Sequence, residues 1–267
     1  MNLQELTEHT IKISKQAGTF IREQYFLFNE KNVEVKSLNS LVSFVDITAE
    51  KMIVEELKTV FSEGKFLTEE NTVEQSTLQQ TQSDSGWLWI IDPLDGTTNF
   101  IHGIPTFAVS IGLMHNGKMK LGVVYEIMRD ECFSAYDGSQ SQLNGKPICV
   151  SERKTLADSL IATGFPYEKF DFVPQYLKTL SHLMQHTRGI RRIGSAAVDL
   201  AYTACGRFDG FFEYNLNPWD VAAGAFIVQQ AGGTVTDFSN GDNYIFGKEI
   251  LATNGIINKV MRKAIQL

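Results

Sequence analysis

The amino-acid sequence predicts a layered α/β protein whose two halves are built differently. In the first half, apolar runs are separated by turn signals such as Asn116-Gly117, a dipeptide that favours a tight hairpin and therefore an antiparallel sheet. In the second half, short apolar runs alternate with helical patterns, which is typical of layered α/β folds. We therefore predict an N-terminal domain at residues 1–152 and a C-terminal domain at residues 153–267.

The first half is predicted to begin with two helices. Apolar residues from Leu3 to Phe20 recur every three or four positions, as they do along one face of a helix, and a second such pattern runs from Ala49 to Val60. The residues between them, 29–44, are polar and weakly periodic. We predict a loop or a loose hairpin there.

The rest of the first half is predicted to form strands, two of which end in acidic residues. The run KFLTEE ends at Glu69-Glu70, and the apolar run from Trp87 to Ile91 ends at Asp92, with a polar loop at residues 76–86 between them. A hairpin then joins residues 107–114 to residues 119–125. Further turn signals at 137–138 and 144–145 continue the meander to about residue 150.

The second half is predicted to alternate strands with helices and to end in a basic helix. Strands are predicted at residues 159–163, 189–193, 208–214, 234–238 and 250–254. Helices are predicted at residues 174–187, 194–206 and 218–233, the last of which ends at Gly232-Gly233, a common C-terminal signal.

The composition argues against several classes of partner and location. The chain carries 24 Lys and Arg against 31 Asp and Glu, a formal charge of −7, whereas nucleic acid polymers and anionic membranes require a basic surface. Neither a signal-peptide pattern nor a membrane-spanning apolar run is found. The three cysteines form no CxxC pair, so we expect reduced thiols and a cytoplasmic location.

The most informative stretch is IIDPLDGTTNF at residues 90–100. A buried strand delivers Asp92, Pro93 stiffens the turn, and Asp95 follows just before Gly96, which allows close approach of the backbone. Taken alone, such a DPxDG sequence is more often a β-turn than a functional site, because Asp, Pro and Gly are common turn residues.

Other acidic residues indicate that this stretch belongs to a larger cluster. Glu69 and Glu70 end another strand, and Asp220 opens a helix, where a lone carboxylate would simply be favoured by the helix dipole. Carboxylates that converge without a cation repel one another and take up protons, so such a cluster requires a divalent metal ion. Ligands that are all oxygen favour Mg²⁺.

These motifs resemble a known family. IDPLDGTTNF together with PWDVAAGAFIVQQAGG is similar to the paired signature of the inositol monophosphatase family of Mg²⁺-dependent, lithium-sensitive phosphatases. FLTEEN, LVSFVD, RRIGSAAVDLAY and FFEYN extend the resemblance over residues 5–262. The resemblance implies an αβαβα sandwich, with an antiparallel sheet in the N-terminal half and a mixed sheet in the C-terminal half, and it implies a homodimer.

The resemblance also implies two or three Mg²⁺ ions per active site and no covalent intermediate. The implied ligands are Glu69, Asp92, the backbone carbonyl of Leu94, Asp95 and Asp220. Asp46 and Thr97 would orient or deprotonate the attacking water, and Glu69 would take part in catalysis beside its role as a ligand.

The implied substrate is a small phosphorylated polyol, sugar or nucleotide. Backbone amides of Gly96, Thr97 and Thr98 would hold its phosphate at a helix N-terminus. The implied residues on the side of the alcohol are Gly194, Ser195, Ala196, Glu213 and Asp220. One position departs from the family pattern, since Thr68 stands where many relatives have glycine, and we expect it to be tolerated because only the backbone path needs to be kept.

The expected activity is hydrolysis of inositol monophosphate, but the substrate stays open within the family. Alternatives with the same chemistry are fructose 1,6-bisphosphate, 2′-nucleotides, NADP and 3′-phosphoadenosine 5′-phosphate. The rival class is a non-catalytic regulator that binds metal and ligand. A missing ligand would favour that class, yet every expected position is filled.

Competing chemistries fail on residue spacing. Asp92 and Asp95 are separated by two residues, unlike the DxDxT sequence of haloacid-dehalogenase phosphatases, and Cys149 and Arg153 are too close for a Cys-x₅-Arg loop. His182 and His186 have the spacing of a zinc pair on a helix, but no third ligand is evident, so two exposed histidines are the preferred interpretation.

Overall fold

The chain folds into five alternating layers of helix and sheet, as the family resemblance implies. The computed structural model describes residues 2–27, 35–72, 86–166 and 170–265, with the backbone alone for residues 35–43. Two sheets, of seven and five strands, form the second and fourth layers. The polar loop predicted at residues 76–86 lies outside the described residues except for Gly86.

The first sheet contains the strands of the N-terminal half in chain order. Its strands are β1 (Lys65–Thr68), β2 (Trp87–Asp95), β3 (Ala108–His115), β4 (Lys118–Glu126), β5 (Glu131–Tyr136), β6 (Gln142–Leu143) and β7 (Lys146–Pro147). From β2 to β7 every neighbouring pair is antiparallel, as predicted, but β1 runs parallel to β2, with Thr68 opposite Ile91. The next residues along the two strands, Glu69 and Asp92, therefore reach the same edge of the sheet.

The second sheet is mixed, with the strand order β11-β12-β10-β8-β9. Its strands are β8 (Leu160–Thr163), β9 (Gly189–Arg191), β10 (Gly210–Tyr214), β11 (Thr234–Thr236) and β12 (Glu249–Thr253). β8 is parallel to β9 and β10, whereas β12 is antiparallel to both of its neighbours. The parallel arrangement places Gly164 and Glu213, at the C-terminal ends of β8 and β10, at one edge.

Helices form the other three layers. The outer face of the first sheet is covered by α1 (Leu3–Leu27) and α2 (Val35–Val60), and a short helix, α3 (Thr97–Ile101), follows β2. The outer face of the second sheet is covered by α4 (Val173–His186) and α7 (Asn258–Ala264). Between the sheets lie α5 (Ala196–Ala204) and α6 (Pro218–Gln230).

The second helix is longer than the sequence predicts. It begins at Val35, so the loop or loose hairpin predicted for residues 29–44 is wrong from that residue on, while residues 29–34 lie outside the described residues. Ser, Asn and β-branched residues lower the helix propensity of this stretch. Packing overrides that preference, because the ring of Phe44 meets Phe20 of α1 edge-on, with centroids 6.3 Å apart, and Val45 is fully buried. Although α1 and α2 have 25 and 26 residues, no described helix is apolar enough over a sufficient length to cross a membrane.

The predicted boundary at residue 152 falls between the two sheets. The first sheet ends at Pro147 and the second begins at Leu160. However, α6 packs against strands of both sheets, so the two halves share the apolar layer between them. The division into two domains stays a prediction.

The helix α6 approaches the first sheet so closely that the strand beneath it carries glycine. A Cβ at Gly122 on β4 would lie 2.7 Å from the carbonyl oxygen and 3.1 Å from the Cα of Ala223 on α6. Both are backbone atoms, which cannot rotate out of the way as a side chain can. The spacing between sheet and helix therefore depends on this glycine.

We predict that Gly122→Ala lowers the free energy of unfolding by about 1–3 kcal/mol, because strand and helix must separate to admit the methyl group. Gly210→Ala is the matched control, since this glycine also lies in a central strand but its Cβ would meet neighbours at 3.4 Å or more. Urea unfolding followed by circular dichroism measures both variants. Equal losses of stability would contradict the packing argument.

Candidate active site

An acidic cluster lies where β1 and β2 end. Asp92 is buried, with 1% of its surface exposed, and its Oδ1 accepts a hydrogen bond of 2.9 Å from the amide of Leu94. The strand register shifts between Asp92 and Asp95, which releases this segment from regular pairing. Gly96 then takes a φ of 102°, and a Cβ there would lie 3.1 Å from the carbonyl oxygen of Thr106. The DPLDG sequence thus forms the bend that carries two carboxylates to one point.

Hydrogen bonds at the starts of two longer helices fix Asp95 and a further carboxylate, Asp220. Asp95 Oδ2 accepts hydrogen bonds of 2.6 Å from the Ser195 hydroxyl and from the amide of Ala197, at the start of α5. Asp220 Oδ2 accepts a bond of 2.7 Å from the backbone amide that precedes α6. One oxygen each of Asp92, Asp95 and Asp220 lies within 4.8 Å of the other two, and no other three acidic, His or Cys side chains of the described residues approach so closely.

Burial raises the pKa values of these carboxyl groups. It raises the pKa of Glu69 to about 7, against the opposing effect of a hydrogen bond with Asp92. Burial and the charge of Glu69 hold the pKa of Asp92 well above its usual range. Burial also raises the pKa of Asp95 to about 6, although the Ser195 hydroxyl lowers it. Carboxyl groups of this kind keep their protons to a higher pH than usual unless a cation replaces them, and an all-oxygen donor set fits Mg²⁺.

Asp46 lies near the cluster on α2. Its surface is 5% exposed, and its Oδ1 is buried without a hydrogen-bond partner. Burial, followed by the charges of Glu70 and Glu69, raises its pKa to about 8. The hydroxyl of Thr97 donates to the carbonyl of Leu94 at 3.0 Å, and no hydrogen bond joins Thr97 to Asp46. Their joint role stays a prediction.

A cavity of about 390 Å³ adjoins the cluster, and its wall contains all of the predicted site residues except Asp46. Glu213 of β10 also lines this cavity. Burial raises its pKa to about 8, while the charge of Arg192 opposes this shift. Gly164 makes room for Glu213, because a Cβ at Gly164 would overlap the carboxylate. The predicted metal ligands and substrate residues therefore line one continuous space.

Sequence reasoning missed two charged residues in this wall. The guanidinium of Arg192 lies 5.2 Å from the centroid of the Phe165 ring and lowers the pKa values of Asp95 and Glu213. Asp199 is buried, its Oδ1 has no partner, and burial followed by the charge of Glu213 holds its pKa well above its usual range. Both residues belong to the quoted sequence RRIGSAAVDLAY, so the signal was present, but only the fold shows that they face the cavity.

The sequence also offered His182 and His186 as a possible zinc pair, and the structure brings no further ligand to them. Their rings stack on the surface of α4 with centroids 4.2 Å apart, and His186 Nδ1 lies 2.7 Å from the carbonyl oxygen of His182. No third potential ligand joins them within the described part of the chain. Two surface histidines, His182 half-buried and His186 exposed, remain the better interpretation.

The family can be decided by comparison over the whole chain. A model of the inositol monophosphatase family matches residues 2–266. The chain belongs to the inositol monophosphatase family. The family is generally dependent on Mg²⁺, and the described residues of this chain include an acidic cluster that could hold a metal ion.

Relatives of known name or structure share this length. Nus factor SuhB of Escherichia coli (strain K12) is 39% identical over 251 residues, which cover 94% of this chain and 92% of the relative. The solved inositol monophosphatase of Anabaena (Nostoc) sp. PCC 7120 is 34% identical with a TM-score of 0.83, covering 99% of this chain and 96% of that one. A solved structure of SaIMPase-II with 2′-AMP bound is 25% identical with a TM-score of 0.80, covering 96% and 92%.

We predict that the melting temperature of this family member, measured without divalent cations, falls as pH rises from about 5 to about 8. The pKa values of Asp46, Glu69 and Asp95 rise from 3.8, 4.5 and 3.8 to about 8, 7 and 6, so the folded protein binds more protons than the unfolded chain over this range. This stabilisation is complete below about pH 4 and is lost as pH rises through the folded values. Each such proton is worth about 1.4 kcal/mol per pH unit, or roughly 2–4 °C.

Saturating Mg²⁺ should raise the melting temperature more at pH 8 than at pH 5.5, because the cation competes with those protons. NaCl of equal ionic strength is the control. An increase of the same size at both pH values would contradict the assignment of the buried carboxyl groups to a cation site.

Proposed function

We propose that this protein is a Mg²⁺-dependent phosphomonoesterase and that its substrate is inositol monophosphate. The observation that supports this most directly is the convergence of Asp92, Asp95 and Asp220 within 4.8 Å at one end of a polar cavity. The cavity continues past the cluster to Glu213 and Arg192, which leaves space for an alcohol beside the phosphate. Lithium sensitivity belongs to the same proposal through the family.

In this proposal two or three Mg²⁺ ions are held by Glu69, Asp92, the carbonyl of Leu94, Asp95 and Asp220. When bound, Mg²⁺ offsets the charge of the phosphate and acts as a Lewis acid. The protein's own contribution is to fix these donors on rigid elements, three of them on β2. Asp95 and Asp220 are held by hydrogen bonds at helix starts, and Asp92 lies on the buried strand β2.

Other residues would bind the phosphate and handle the proton of the attacking water. The backbone at Gly96, Thr97 and Thr98 lines the cavity where the phosphate would lie. Asp46 offers a buried oxygen without a partner, and burial raises its pKa, which favours holding a proton once the group has received one. The hydroxyl of Thr97 would orient the water and pass its proton on to Asp46.

The side of the cavity that would hold the alcohol favours a neutral, hydroxyl-rich group over a second phosphate. Its buried carboxyl groups, Glu213 and Asp199, face a single cation, Arg192, among the described lining residues, and that guanidinium already faces three acidic groups. A second phosphate there would add charge without a new cation. This ranks inositol monophosphate above fructose 1,6-bisphosphate and 3′-phosphoadenosine 5′-phosphate. A 2′-nucleotide is the alternative, supported by the relative solved with 2′-AMP, whereas NADP carries two further phosphates and ranks lower by the same argument.

A second candidate function is regulatory. The relatives named Nus factor SuhB, at 39% identity, carry a name that describes a factor rather than an enzyme. A regulator need not lose its catalytic residues, so the presence of each predicted ligand and of Asp46 in the sequence does not decide between the two candidates. Phosphate release from inositol 1-phosphate, 2′-AMP, NADP or fructose 1,6-bisphosphate would establish the enzyme, and release from none of them would favour the regulator. We also propose that the protein is a homodimer. We propose a cytoplasmic location because all three cysteines are free.

We predict that Asp92→Asn lowers phosphate release at least about 100-fold in excess Mg²⁺, because a buried ligand loses its charge. The same variant should melt at an equal or higher temperature than the parent without Mg²⁺, since one source of carboxylate repulsion is gone. Asp137→Asn, at a half-exposed surface carboxylate, is the control and should change neither quantity much. Turnover of Asp92→Asn near that of the parent would overturn the metal assignment.

We predict that Glu213→Gln raises the KM for inositol 1-phosphate by about tenfold, because an amide replaces only part of the hydrogen bonding of a carboxylate to hydroxyl groups. The KM for 4-nitrophenyl phosphate, whose leaving group lacks such hydroxyls, should change by less than about twofold. Steady-state kinetics on both substrates checks this. Equal changes for the two substrates would mean that Glu213 does not recognise the alcohol.

A further inference from the structure

The loop that follows β1 is anchored to one buried side chain of α2. Glu50 is fully buried, and both of its carboxylate oxygens accept hydrogen bonds from residues 68–72. Its Oε2 accepts from the amide of Glu70 at 2.7 Å. Its Oε1 accepts from the hydroxyl of Thr68 at 2.9 Å, and from the amide and hydroxyl of Thr72 at 2.8 and 2.6 Å.

These bonds surround Glu69 without using its side chain. The amide of Glu69 donates to the carbonyl of Ile91 at 3.3 Å, and its own carbonyl accepts from the side chain of Asn71 at 2.8 Å. Asn71 takes a φ of 56°, so the turn reverses here. The backbone on both sides of Glu69 is thus fixed, and its side chain is left to face Asp92 and the cavity.

We propose that Glu50 is a positioning residue for the metal site, which sets the place of Glu69 by holding the loop of residues 68–72. This inference rests on the proposed function, since it takes Glu69 to be a metal ligand. Glu50 also follows Asp46 by one turn of α2, so a single helix fixes the carboxylate that would accept the proton and the loop that carries a ligand.

The proposal also explains the residue that departs from the family pattern. Thr68 was expected to be tolerated for its backbone alone, yet it is fully buried and its hydroxyl donates to Glu50. A glycine at this position would remove one of the three donors to Glu50 Oε1 and leave only those of Thr72. In this chain the threonine takes part in the anchor.

Glu50 could instead affect metal binding only through its negative charge. That charge contributes to the raised pKa values of Asp46 and Glu69, so it acts across the cluster. The two explanations differ in their dependence on the donors. Removing a donor while keeping the Glu50 charge disturbs the position of the loop but leaves the charge unchanged.

The test is calorimetric titration of MgCl₂ into the whole protein without any phosphate compound. For Glu50→Gln we expect the Kd for Mg²⁺ to rise about 10–100-fold, as is common when a group that orients a metal ligand is changed. Asp209→Asn is the matched control, because Asp209 is also fully buried and accepts bonds from Leu160 and Arg153, at the opposite end of the second sheet. It should lose stability and keep the Kd of the parent.

Thr72→Val separates position from charge, and it also serves if Glu50→Gln fails to fold. We expect its Kd for Mg²⁺ to rise about two- to tenfold, because one hydrogen bond of the anchor is lost. Thr72→Ser keeps the hydroxyl and should restore the Kd of the parent. A parent that binds no Mg²⁺ would overturn the proposed function itself. A parent that binds Mg²⁺, with Thr72→Val unchanged from it, would overturn the positioning role of Glu50 alone.

Discussion

Repulsion between buried carboxyl groups is the constraint on which the rest of this structure depends. Asp92 and Glu69 share a hydrogen bond, Asp95 and Asp220 lie within reach of Asp92, and Asp46 stands close by. Such a set would spread apart on a flexible chain, because each charge gains by moving into water. The carboxylates are instead carried by several packed elements, with Asp92 and Asp95 on β2, Asp220 on α6, Asp46 on α2 and Glu69 just after β1. The layered fold is therefore the means by which like charges are kept together for a cation.

The helical layer between the sheets fixes two of these carboxylates. α6 is buried on almost all sides, with apolar residues from Val221 to Val228 packed among strands of both sheets. An apolar helix of this kind cannot move without exposing its surface on both faces. Its first turn carries Asp220, so the position of that carboxylate is determined by the core. The neighbouring helix α5 acts similarly on Asp95, through Ser195 and the amide of Ala197.

The sequence was sufficient for features that depend on local chemistry. The apolar runs, the Asn116-Gly117 hairpin and the DPLDG bend follow from short-range preferences, and the structure has them where they were predicted. The early start of α2 at Val35 was not predictable in this way, because its propensity is low and packing on α1 decides it. The parallel pairing of β1 was not predictable either, because turn signals indicate only hairpins between strands joined by a short turn. Glu50 and Asp199 were missed because an acid in a helical pattern looks solvated until tertiary contacts bury it, and Arg192 was missed because a base just after the end of a short strand looks solvated in the same way.

The parallel strand β1 has a consequence for how a bound cation would affect the local stability of the sheet edge. It is a four-residue edge strand, and in the described part of the chain it pairs with β2 alone. Edge segments of this size open locally far more often than the whole protein unfolds. Opening would carry Glu69 away from Asp92, whereas a cation bound between them would hold the strand closed. A bound cation would therefore add to the local stability of this edge strand, which otherwise rests on one neighbouring strand and on the Glu50 anchor.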